Sequence, residues 1–171
     1  MEKKTLFSTP WLELKQIDGD NFSYVFSHEK RCNGAIVAVL PFRKNNGFLE
    51  YMLRSEYTPP WGESSCISSI TGGVDDNTSI VETALHEVKE EAGYEITIDN
   101  LIDLEHTMIS KSADTIAYLY AVDVSDLKPS KPQGDGSYLE TQATSFWTSS
   151  ISKSLDPLVY VMHYRLKKYL D

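Results

Sequence analysis

Basic side chains are scarce in this chain. Its 171 residues carry 16 Lys and Arg against 25 Asp and Glu, a net charge of −9. Proteins that track nucleic acid normally display a basic stripe, so a nucleic-acid partner is not expected. A phosphate-bearing small molecule is compatible with this charge, because a divalent cation held by carboxylates reverses the local sign. Cysteine is scarce too. Cys32 and Cys66 stand alone, without the clustered spacing of metal ligands. Two unclustered cysteines suit free thiols in a reducing cytosol, although the sequence leaves open whether they pair. No apolar stretch is long enough to cross a bilayer, and the opening MEKKTLFSTPWLEL lacks the apolar run of a secretory leader. A cytoplasmic protein without a membrane partner is expected. Internal repeats and low-complexity tracts are lacking as well.

What is present is an ordinary globular composition, 41% hydrophobic and 24% charged, in a length that suits one domain with a substantial core. Between residues 11 and 26, WLELKQI and NFSYVF flank DGDN, which predicts a β-hairpin in an N-terminal extension over 1–31. GAIVAVLPF (34–42) reads as a strand buried on both faces. FLEYMLRSEY (48–57) follows across an Asn-Gly turn, TPPWGESS is a loop, and CISSITGG is a short strand ending in a glycine corner. Further strands are expected at 101–109, 115–124 and 143–149, with a Pro/Gly/Ser-rich loop before the last of them. Asp156-Pro157 should start a terminal helix whose core side is Leu158, Met162, Leu166 and Tyr169. The order of elements points to an α+β protein, a mixed sheet between helices, over 32–171.

The segment ALHEVKEEAGYEI poses the central question. Ser79 with Glu82 has capping-box spacing, and Ile80, Val81, Ala84, Leu85, Val88 and Ala92 form an apolar side of a helix that Gly93 should end. On a wheel of about 100° per residue, Glu87, Glu90 and Glu91 then share one stripe beside the buried side. Like charges at these spacings repel by a few tenths of a kcal/mol per pair. The face is either solvated or met by something positive.

The stretch GGVDDNTSIVETALHEVKEEAGY resembles the Nudix box, G-x5-E-x7-R-E-U-x-E-E-x-G-U, where U is bulky and apolar. Gly72, Glu87, Val88, Glu90, Glu91, Gly93 and Tyr94 fall in register, while Thr78 stands at the first glutamate and His86 at the arginine. The resemblance implies a fold in which a mixed sheet lies between helices. It implies hydrolysis of the pyrophosphate in a nucleoside diphosphate linked to another group, ADP-ribose first among the substrates. Mg²⁺ or Mn²⁺ would be held by Glu87, Glu90 and Glu91 with a backbone carbonyl of Thr71 or Gly72. Glu90 and Glu91 would take part in catalysis, and the general base would come from a distant loop, as Glu140 or Asp135. Arg54 would contact phosphate, and Trp61 (or Trp11 or Tyr57) would stack on a base. In the family the box arginine holds a metal-ligating glutamate in place, a task for which histidine has fewer donors. A catalytically weak or inactive nucleotide-binding module is therefore the second reading. No proline occurs between Gly93 and Pro129, whereas many ADP-ribose members carry one soon after the box. The N-terminal hairpin resembles the extension through which ADP-ribose pyrophosphatases form homodimers. Trp147 is expected in the core, and His106 and His163 lack ligand spacing.

Overall fold

The computed structural model describes residues 1–62, 64–132 and 141–171. Asp135 and Glu140 lie outside the described residues. The chain opens with three antiparallel strands, β1 (Glu2–Ser8), β2 (Leu12–Gly19) and β3 (Phe22–Glu29). The expected hairpin is β2–β3, turning over Asp20 and Asn21 with Gly19 opposite Phe22. β1 is not expected from the sequence, because EKKTLFS has little alternation to declare it. It is added by pairing with β2, with a register shift between Thr5 and Phe7.

The second sheet has seven strands. β4 (Ala35–Asn45) and β5 (Phe48–Tyr57) form a hairpin through Asn46 and Gly47, both at positive φ, as Asn-Gly turns require. β6 (Ser65–Ser68) pairs with β5 and β7 (Ile70–Gly73) with β4. The sequence predicts a single strand here, and the structure has two. They divide at Ser69, whose backbone N–H and hydroxyl both donate to the Asp156 carboxylate instead of to a neighbouring strand. After the helix α1 (Ile80–Glu87) come β8 (Leu101–Met108), β9 (Ile116–Asp123), β10 (Thr144–Thr148) and α2 (Pro157–Leu170). The order across the sheet is β10-β5-β4-β9-β8, with β4 and β9 parallel.

Alternation along β4 and β9 sends side chains to two buried layers. Leu40, Phe42, Leu53 and Leu119 pack with Leu158, Met162 and Leu166 of α2. Val37, Val39, Met52 and Val122 pack with Ala84, Val88, Ala92 and Tyr94 on the α1 side. The mixed sheet therefore lies between two helices, as expected. Trp147 is half-buried against the second layer. Tyr169 departs from its expected core position: it is 63% exposed, and the last turn of α2 carries no buried residue. Asp156 caps α2 through the Leu158 N–H, so the carboxylate that splits β6 from β7 also starts the last helix. Cys32 and Cys66 are both free thiols.

Candidate active site

The glutamate helix starts as read. Ser79 Oγ accepts the Glu82 N–H while the Glu82 carboxylate accepts the Ser79 N–H. Its end is not a continuous α-helix. After Glu87 the chain widens into a π turn over Val88–Ala92, closed by Gly93 at φ 73° with its N–H on the Val88 carbonyl. π turns recur at functional sites, and here the widening breaks the simple wheel. Glu87 and Glu90 stay half-buried at the surface, whereas Glu91 is buried.

These three carboxylates meet the glycine corner in a single cleft of about 650 Å³. Thr71, Gly72 and Gly73 of β7 line it with them, and a Cβ on Gly72 would overlap the Glu87 carboxylate. Glycine is needed there for close approach, since only a residue without a side chain admits Glu87 so near the strand. Glu29, Arg31, Cys32, Glu56, Tyr57 and Asp75 also line the cleft. Six carboxylates thus stand against two guanidiniums among the described residues, Arg31 and Arg54.

Arg54 does not lie open on a phosphate surface. Its Nη1 donates to Glu91 Oε1 at 2.5 Å, and its Nε lies 3.2 Å from Glu56 Oε2, with side chains only 6% and 7% exposed for Arg54 and Glu91. The Nε contact is an ion pair without hydrogen-bond alignment. Glu56 accepts a further bond from the Ser68 hydroxyl, and the Ser145 hydroxyl holds the Glu91 backbone carbonyl at 2.7 Å. The positive charge that the glutamate stripe called for is therefore in part Arg54. His86, at the box arginine's place, is exposed. Thr78 is used in the turn before α1, its hydroxyl bonding the Asp75 carbonyl and the Thr83 hydroxyl.

Trp61 lies elsewhere than expected, in a second hollow with Cys66, Lys153 and Leu155. Trp11 is 66% exposed at the start of β2, so of the three aromatics considered Tyr57 is the one on the cleft. Glu29, Arg31, Glu56 and Asp75 are not singled out by the sequence. Only Glu56 had a local signal, because two residues on from Arg54 a strand side chain returns to the same face. Cys32 donates from Sγ to Glu29 Oε2 at 3.3 Å. Burial first, then Glu29, pushes its thiol pKa up, which keeps it protonated and a poor nucleophile or metal ligand.

Among the described residues no three His, Cys, Asp or Glu side chains form a ready-made metal cage. The donor set still fits a hard divalent cation. Magnesium prefers oxygen donors, keeps several waters, and is held by one or two carboxylates together with substrate phosphates. A cleft with six carboxylates would repel a diphosphate unless cations entered with it.

Comparison with known proteins reaches the fold. No family model and no curated protein matches the chain. Among solved structures, an ADP compounds hydrolase superposes with a TM-score of 0.67 at 18% identity, covering 99% of this chain and 92% of that one. A protein of Listeria monocytogenes assigned as a Nudix hydrolase superposes with a TM-score of 0.58 at 20% identity, covering 79% and 92%. The chain has the Nudix fold, and the resemblance of its box is carried by a matching architecture.

Proposed function

We propose that this protein hydrolyses the pyrophosphate bond of a nucleoside diphosphate linked to another group, with Mg²⁺ or Mn²⁺ as cofactor and ADP-ribose as first substrate. The observation that carries the reading is the meeting of Glu87, Glu90 and Glu91 with the Gly72 corner in one acid-lined cleft of the Nudix fold. Likeness to a hydrolase of ADP compounds supports the choice of substrate class. Glu87, Glu90 and Glu91, with a carbonyl of Thr71 or Gly72, would hold the cation. Bound there, it would neutralise phosphate charge and lower the pKa of an attacking water. Glu90 and Glu91 shape the field around the scissile anhydride, and Glu140 is the proposed proton acceptor. Tyr57 offers a ring on which a base can stack. Trp61 enters only if substrate extends past the cleft.

In this reading residues 1–31 are an appendage that pairs two subunits, and the protein works in the cytoplasm without nucleic-acid or membrane partners. No described helix is long and apolar enough to cross a membrane. The second reading, a module that binds nucleotide without cleaving it, is favoured by Thr78 and His86 at two box positions.

The test is phosphate release from ADP-ribose in a phosphatase-coupled assay with Mg²⁺ or Mn²⁺, beside other nucleoside diphosphate derivatives. Glu90→Gln should lower turnover on the order of 100-fold or more with an unchanged melting temperature. Glu90 is the better residue to replace, since changing Glu91 would disturb the buried Arg54 pair. Nucleotide binding without turnover in the native protein would favour the second reading. Failure of Mn²⁺ and Mg²⁺ to raise the melting temperature would overturn the metal site.

A further inference from the structure

We infer that the two cleft arginines divide the work differently from their sequence contexts: Arg54 is the positioning residue for Glu91, in place of the box arginine, and Arg31 is the guanidinium that meets the substrate's phosphates. The inference rests on the proposed metal-dependent hydrolysis.

His86 occupies the box position from which an arginine would serve the glutamates, yet it is exposed, while Arg54 reaches Glu91 from β5. One edge of the Arg54 guanidinium is engaged by Glu91 and another by Glu56. Turning it toward a phosphate would break a buried ion pair. Arg54 and Ser145 are directly opposed in the β5–β10 register, and both hold Glu91, one by its side chain and one by its backbone carbonyl. Two neighbouring strands thus clamp one residue of the π turn. Such outer partners fix the orientation of ligating carboxylates.

Arg31 is the complement. It follows β3, lines the same cleft, is exposed, and enters no ion pair among the described residues. A guanidinium free to face solvent beside the acidic wall can make the paired contacts a diphosphate offers.

The experiment crosses two measurements with three variants. Mn²⁺ affinity is read by the electron-paramagnetic-resonance signal of free Mn²⁺, and kcat and KM are read with ADP-ribose. Arg54→Lys, which keeps the charge and loses the fork, should weaken Mn²⁺ about tenfold or more and lower kcat, with KM nearly unchanged. Ser145→Ala, which leaves the ion pair intact, should weaken Mn²⁺ in the same direction by roughly threefold. Arg31→Gln should raise KM about tenfold and leave Mn²⁺ affinity unchanged. Unchanged Mn²⁺ affinity in folded Arg54→Lys and in Ser145→Ala, or a rise in KM confined to the Arg54 variant, overturns the division. Absence of Mn²⁺ binding by the native protein would instead remove the metal-dependent reading beneath it.

Discussion

The two sheets use similar alternating strands and meet opposite surroundings. On the seven-stranded sheet, both faces are covered: α2 closes one layer, and α1 with its π turn closes the other. On the three-stranded sheet, Phe7 is 62% exposed, and Leu12, Leu14 and Val25 project beside it on the same face, where none of the described helices covers them. The small sheet is nevertheless fastened to the large one. Ser27 donates its N–H to the Ser112 carbonyl and accepts the Asp114 N–H, both in the β8–β9 connection, and His28 Nδ1 lies 3.0 Å from the Asp114 carboxylate. Glu29 at the end of β3, with Arg31 and Cys32 just past it, lines the cleft. The small sheet is thus tied to the cleft through its last strand.

That contrast can be broken by mutation. Leu119→Ala, at a position with no exposure between β9 and α2, should cost about 2–5 kcal/mol in urea unfolding. A smaller, pH-dependent difference should separate the sheets. Burial, with a lesser effect of Lys167, holds the His163 imidazole pKa below its ordinary value, where the ring stands edge-on to Tyr51. The unfolded chain therefore takes up the proton first. The stability from neutral His163 is complete above the unfolded pKa of about 6.5 and is lost as pH falls below it. Melting temperature should drop from pH 7.5 to 5.5, and His163→Leu should flatten the drop. The small sheet answers at another pH: the Gln16 amide first, then Ser23 and Lys4, hold the Asp18 carboxyl at about 2. Its contribution is lost only as pH falls from the ordinary carboxylate range toward that value. The smallest effect is expected for Leu14→Ala on the uncovered face, within about 0.5 kcal/mol for a dilute monomer. A cost of several kcal/mol with a midpoint that rises with protein concentration would identify that face as a subunit interface.

Much of the site was legible where the signal was local. The capping box at Ser79, the Asn-Gly turn and the apolar strand at 34–42 each depend on residues a few positions apart, and the structure places them as read, while Glu87, Glu90 and Glu91 do reach the Gly72 corner but with Glu91 buried by the π turn. The π turn was not legible, because a helical wheel assumes one pitch throughout. The break at Ser69 depends on Asp156, 87 residues away. Trp61 is the first stacking candidate by sequence and Tyr57 an alternative, and only the fold puts Tyr57 on the cleft and Trp61 in the second hollow.

Backbone geometry over a few residues suffices to read the β2–β3 hairpin, the apolar strand at 34–42, the start of α1 and the spacing of three carboxylates after a glycine corner. Which charge faces those carboxylates follows instead from packing between segments distant along the chain. Arg54 reaches Glu91 because β5, β10 and the π turn pack together, and burial then makes that ion pair costly to break. Which partner a charged side chain takes is decided by the dielectric and the neighbours it meets across the fold, and those are set by contacts far apart along the chain.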